Sequence, residues 1–236
     1  MQQGAVSEVE RRLVWDLPVR VVHWTLLLVI AGSWITSRLG PAYFRWHLVC
    51  GCTVIVLVTF RIIWGFVGTR YARFRSFVRG PRAVWSYLRG TDSTAVAQWV
   101  GHNPLGAMSV VLMLLLLLAQ GLTGLFANDA IANTGPFYGW VSGDTSDLLT
   151  SIHHRIFFVL ELLIPLHIAM VLFYTFVKRT QLIGPMLSGY KAAQQLPPGE
   201  GIDGSRLTAA ILLVVLITGL LLLLLHLAPP AGLSSF

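Results

Sequence analysis

Residues 153–167 read HHRIFFVLELLIPLH. The stretch is apolar enough to lie in a membrane, yet it holds three histidines, an arginine and a glutamate. Such side chains are costly in hydrocarbon and mark sites where something is bound or passed on. Helical geometry sorts the histidines. His153 and His167 are 14 residues apart, just under four turns, so they share one face about 21 Å apart along the axis. His154 is turned well away from that face. One helix therefore offers an imidazole towards each membrane surface, on the same side.

The rest of the chain supports a membrane setting. Of 236 residues, 55% are hydrophobic and 11% charged, with a mean hydropathy of +0.71; a soluble domain carries roughly 25% charge. Helices of about 20 apolar residues cross the hydrocarbon layer, and five segments qualify: 21–37, 46–67, 104–126, 149–177 and 207–227. The expected fold is an all-α integral membrane protein, a four-helix transmembrane bundle plus a fifth C-terminal transmembrane helix. Trp24, Trp34, Trp46, Trp64 and Tyr174 suit interfacial belts. The fifth segment, LTAAILLVVLITGLLLLLLHL, reads as a lipid-facing addition. Cys50 and Cys52 point to nearly opposite sides of a helix and read as packing residues.

Charge sets the expected orientation. With the N-terminus inside, the inner segments hold Arg11, Arg12, Arg20, Arg70, Arg73, Arg75, Arg79, Arg82, Arg89, Lys178, Arg179, Lys191 and Arg206, thirteen of the 17 basic residues. The outer side holds Arg38 and Arg45. The positive-inside rule then gives a multi-pass protein with its N-terminus cytoplasmic and, after five spans, its C-terminus on the opposite side. The net charge of +7 follows from topology. RYARFRSFVRGPR, between two spans, is read as meeting anionic lipid headgroups, not nucleic acid. The first span lacks a small-x-small cleavage site and is expected to stay as an anchor. The expected division is a cytoplasmic segment 1–20, a bundle 21–180, a cytoplasmic linker 181–206 and the helix 207–227. The Pro- and Gly-bearing stretch 189–206 reads as a flexible tether.

The remaining histidines supply mates at matching depth. His47 opens the second span on the outer side, and His153 lies near the outer end of the fourth. His23 opens the first span on the inner side, and His167 lies in the inner half of the fourth. Two cross-helix pairs follow, His47 with His153 and His23 with His167. A haem iron takes two trans imidazoles, and such a centre leaves no position open for substrate, which suits electron transfer. Zinc needs four ligands in one place. The bundle is therefore expected to hold two haems, one above the other.

Around these histidines the chain reads VWDLPVRVVHW (14–24), FRWHLVCG (44–51), RIIWGFVG (61–68) and GHNPLGA (101–107). With HHRIFFVLELLIPLH, these motifs resemble the bacterial di-haem cytochrome b561 family, including the b-type cytochrome subunits of nickel–iron hydrogenases, over residues 14–190. The resemblance implies two haems b with His23, His47, His153 and His167 as axial iron ligands, in agreement with the depth pairing. His154 stands where the family often has glutamate, and the fifth span lies beyond its four-helix core.

Other polar residues keep two readings each. Arg61 pairs with a haem propionate or snorkels; Arg20 and Arg155 have the same choice. Glu161 bonds a neighbouring helix or relays protons to a quinone, the first being favoured. Pro165 is expected to bend the fourth helix near His167. His102 caps or packs its turn, with a quinone site as the sharper reading, and His226 is interfacial. Gln120, Gly121 and Gly124 form a small-residue patch for close packing or for a porphyrin edge. The expected function is transmembrane electron transfer in a respiratory chain. It would run between a periplasmic c-type cytochrome, hydrogenase or other dehydrogenase and the quinone pool, a homodimer being compatible with this. The alternative is a stand-alone quinone-linked oxidoreductase acting on superoxide or ferric iron.

Overall fold

The computed structural model describes residues 10–90, 103–131, 133–196 and 199–229. His102 and its expected turn role lie outside them. The elements run β1 (Arg11–Leu13), α1 (Leu17–Arg38), α2 (Phe44–Val67), α3 (Phe74–Phe77), α4 (Pro81–Leu88), α5 (Pro104–Gly124), α6 (Gly143–Leu172), α7 (Ile183–Ser188), β2 (Tyr190–Ala192) and α8 (Leu207–Leu227). Among the described residues, five helices are long and apolar enough to cross a membrane: α1, α2 with its 3-10 lead-in, α5, α6 with its continuation to Val177, and α8.

Two spans begin earlier than hydropathy alone suggests, and caps explain both. Asp16 accepts from the Val19 amide at 2.8 Å, and Pro18 sits in the first turn, where its missing N–H costs nothing. Ser142 caps α6 by accepting from the Thr145 amide, and Asp144 adds negative charge at the positive end of the helix dipole. At its other end α6 runs on through Pro165 and passes into a π turn at Phe173–Val177.

Helix α2 is the central element. It packs on α1, α5 and α8, while α6 packs chiefly on α5. Val58, Phe60 and Trp64 of α2 meet Val19, Val22 and Leu26 of α1, Leu114 and Leu117 of α5, Leu160 of α6 and Ile217 of α8. Small residues set the closest approaches. A Cβ at Gly65 would fall 2.2 Å from the Phe74 ring, which folds α3 back onto α2. A Cβ at Gly121 would fall 2.5 Å from Ile55, so α5 and α2 touch there. Cys50 and Cys52 are free.

The arginine-rich end is tied together by polar contacts. Asp16 is 1% exposed and accepts from the Trp64 indole at 3.0 Å and from the Thr69 hydroxyl, joining the start of α1 to the end of α2. Strands β1 and β2 pair antiparallel, Arg11 opposite Ala192 and Leu13 opposite Tyr190. The Ile202 amide donates to the Leu13 carbonyl, and Leu17 N–H to the Ser205 hydroxyl. Glu200 accepts from Arg70 at 2.7 Å and from the Tyr71 hydroxyl. The described part of 189–206 is thus a clasp over the bundle end, not the flexible tether expected from its glycines. Arg206 closes it by donating to the Val67 carbonyl at 2.8 Å, which seats α8 against α2.

Candidate functional site

The helical register separates the histidines of α6 as their spacing predicts. His153 and His167 are partly buried, while His154 is exposed on the other face. At the end of the bundle where α2 begins, His47 and His153 face each other, ring centres 6.4 Å apart and planes at 81°. Two metal–imidazole bonds of about 2 Å, plus about 1 Å from each nitrogen to its ring centre, add to about 6 Å. At this spacing His47 and His153 could together hold one metal between them.

The hydrogen bonds of this pair suit the same purpose. His47 Nδ1 lies 3.0 Å from the Ser33 carbonyl of α1, and His153 Nδ1 lies 2.9 Å from the Gln120 carbonyl of α5. Each ring donates Nδ1–H to a carbonyl, which assigns the lone pair to Nε2, the arrangement usual for metal-bound histidine. The His153 Nε2 lone pair accepts from the Gln120 side-chain amide at 3.0 Å. A Cβ at Gly124 would lie 2.9 Å from His153 Cε1, so the glycine makes room for this imidazole. In the small-residue patch of α5, then, Gly121 serves helix packing and Gly124 serves the histidine.

At the arginine-rich end, His23 of α1 and His167 of α6 are close enough to interact electrostatically. His23 Nδ1 is buried and has no hydrogen-bond partner among the described residues. A buried polar atom left so costs about 1–3 kcal/mol. His167 makes no hydrogen bond among the described residues. Nor do three or more His, Cys, Asp or Glu side chains cluster there to hold a bare ion. The donor set is two imidazole pairs, and a pair suffices for a metal whose other ligands come in a macrocycle, as in haem. The residues present fit that group.

The other polar residues have definite partners. Arg61 is 7% exposed, donates to the Ala72 carbonyl at 3.2 Å, lies 5.3 Å from the Phe74 ring centre and is attracted by Asp16. It does not snorkel; the α2–α3 turn wraps it. Arg20 donates to the Leu187 carbonyl and Trp24 to the Met186 carbonyl at 3.2 Å, so both hold α7 against α1. Glu161 accepts from the Trp34 indole and from Arg38, each at 2.9 Å, bridging α6 to α1. Asp129, between α5 and α6, and Asp147, in the first turns of α6, are engaged locally, Asp129 with Ile131 and Asn133 and Asp147 with Asn128. Two turns beyond His167, Tyr174 shares a 2.7 Å hydrogen bond with Tyr87 of α4, which accepts from Asn103 at 3.1 Å. Tyr174 lies in the π turn, as does Thr175, whose buried hydroxyl has no partner.

Comparison with known proteins follows the same residues. A family model described as prokaryotic cytochrome b561 matches residues 14–189. The chain is 30% identical over 207 residues to the probable Ni/Fe-hydrogenase B-type cytochrome subunit of Rhizobium leguminosarum bv. viciae, covering 75% of this chain and 87% of that one. It is 26% identical to the probable Ni/Fe-hydrogenase B-type cytochrome subunit of Rhodobacter capsulatus, over 75% of this chain and 80% of that one. It is 25% identical to the probable Ni/Fe-hydrogenase 1 B-type cytochrome subunit of Escherichia coli K12, over 81% and 95%. No solved structure matches significantly.

Proposed function

The chain belongs to the prokaryotic cytochrome b561 family, and on that premise we propose that it is a di-haem electron carrier coupled to a nickel–iron hydrogenase. The family and its curated relatives make it a multi-pass bacterial membrane protein and a b-type cytochrome that carries electrons in the membrane. The hydrogenase is proposed from the relatives' names. The observation that best supports haem binding is the His47–His153 pair, ring centres 6.4 Å apart with both Nδ1 atoms on carbonyls, and the closeness of His23 to His167 supports a second haem.

In this reading His47 and His153 hold one haem b and His23 and His167 the other, within the bundle 21–180. Haem supplies reversible one-electron chemistry when bound, and the protein supplies the axial nitrogens, their orientation and a dry apolar sheath. The orientation proposed is N-terminus cytoplasmic and C-terminus periplasmic, which puts the His47 end outside. Hydrogenase electrons would enter there and leave at the arginine-rich end. The Asn103–Tyr87–Tyr174 chain favours a quinone as acceptor, because it places phenolic hydroxyls at that end, beyond His167. The inner membrane is the proposed location.

The experiment is a histidine series on purified protein. Wild type should bind two haems b per chain with a sharp α band on reduction. His47→Ala and His153→Ala should each lose one haem, and His23→Ala and His167→Ala the other. His154→Ala should keep both. A folded, colourless wild type refutes the proposal, and loss of haem from His154→Ala but not His153→Ala refutes the ligand assignment.

A further inference from the structure

The face of α6 opposite the histidine pairs carries a shallow groove lined by Asp147, Thr150, Ser151, His154, Arg155, Phe158 and Val159. Helix α6 runs inward from its start, so these residues are ordered by depth. Asp147 is outermost. The hydroxyls of Thr150 and Ser151 come next, then His154 and the cation Arg155, and last the apolar Phe158 and Val159. Phe158 is 62% exposed, and Leu162 one turn deeper is 60% exposed, so the apolar strip continues into the membrane.

Two of the charges have capacity to spare. Asp147 Oδ1 accepts from the Asn128 side-chain amide at 2.9 Å, which leaves Oδ2 to accept from a further donor. Arg155 is exposed and has no hydrogen bond or ion pair among the described residues. A guanidinium with five donors in a fixed fork matches phosphate oxygens. The sequence negative, hydroxyl, positive, apolar is the complement of one amphiphile in particular. A phospholipid with an ethanolamine head presents, from water inward, an ammonium, a phosphate and its acyl chains. A phosphatidylglycerol head would set a neutral glycerol, not a cation, against Asp147 and gain less.

We propose that the groove on the back of α6 binds one ethanolamine-headed phospholipid, its ammonium on Asp147, its phosphate on Arg155 beside His154, and an acyl chain along Phe158 and Val159. The bound lipid lies behind the His47–His153 pair and braces the helix that carries His153. This placement is independent of what the histidines ligate.

The test uses the full chain in nanodiscs of equal phosphatidylethanolamine and phosphatidylglycerol, followed by native mass spectrometry. Wild type should retain one phosphatidylethanolamine per chain in excess over phosphatidylglycerol. Arg155→Gln, which keeps length but not charge, should lower retention of both by about tenfold. Asp147→Asn should abolish the preference while leaving phosphate binding. Absorbance and helicity of the same samples check the fold. A wild type that prefers phosphatidylglycerol, or retains neither lipid, overturns the proposal. So do variants with unchanged retention, and so does a dimer mass in which Arg155 is covered by a second copy.

Discussion

Replacing Gly124 by alanine is a small change with a large expected effect. The added Cβ would stand 2.9 Å from His153 Cε1 and 3.2 Å from its Nδ1. Non-bonded carbons settle at about 3.5 Å or more, so the ring must retreat by about 0.6 Å. It is not free to do so at no cost, because Nδ1 is held 2.9 Å from the Gln120 carbonyl. Stretching that bond forfeits about 1 kcal/mol. Metal–ligand distances hold to about 0.2 Å, so the displacement is about three times the tolerance. Gly124→Ala should therefore lose the haem at His47 and His153 and keep the other. Alanine is the better helix former by about 1 kcal/mol, so a failing helix does not explain the loss. The assay is haem per chain by the pyridine haemochrome, with a potentiometric titration that should collapse from two steps to one. Gly219→Ala, where a Cβ meets nothing within 4 Å, is the control. Two haems with unchanged midpoints in Gly124→Ala would refute the placement of His153 as a ligand.

Three further outcomes follow from the contacts. Asp16→Ala removes the acceptor of three buried donors and should cost about 3 kcal/mol, seen as earlier loss of the haem bands on heating. An unchanged melting temperature would show the interlock to be dispensable. Glu161→Gln keeps an acceptor for Trp34 but loses the ion pair with Arg38, whose side chain is 59% exposed; stability should change by less than about 1 kcal/mol and both haems should stay. Loss of quinone reduction in that variant would assign Glu161 a proton path and sink the bridging role. Tyr71 is pushed up to about 12 from its usual 10.0 by burial, and then by its bond to Glu200. For an acid raised in the folded state, the stabilisation is complete below the lower value and lost as pH climbs from 10 towards about 12. Limited proteolysis of the 199–206 clasp should accelerate across that window, and in Tyr71→Phe the window should vanish.

The spans and the histidine faces were legible because they depend on periods. Twenty apolar residues imply a crossing, and a 3.6-residue turn separates His153 from His154 whatever surrounds them. What escaped depends on pairings across long sequence distances. Asp16 reads locally as an N-cap, and nothing near it announces Trp64 and Thr69, 48 and 53 residues away. Arg61 lies within a span, and nothing near it announces the turn that covers it; the return of Phe74 and Ala72 over it comes from the Gly65 contact. Strands of three residues have too short a period to detect, so β1 and β2 were invisible in a stretch whose prolines and glycines suggested freedom. Gly124 was noticed as part of a small-residue patch, but its pairing with one imidazole needed the third dimension.

The two imidazole pairs differ in one respect. His47 and His153 each pass Nδ1–H to a backbone carbonyl, whereas His23 Nδ1 is left without an acceptor. An imidazole that donates in this way is the more basic ligand and favours ferric over ferrous iron. The His47–His153 centre should accordingly have the lower midpoint potential, which titration of His23→Ala against His47→Ala would resolve. An electron arriving there would find a downhill step towards His23 and His167. The bundle would then act as a rectifier as well as a conductor, its bias written in two main-chain carbonyls.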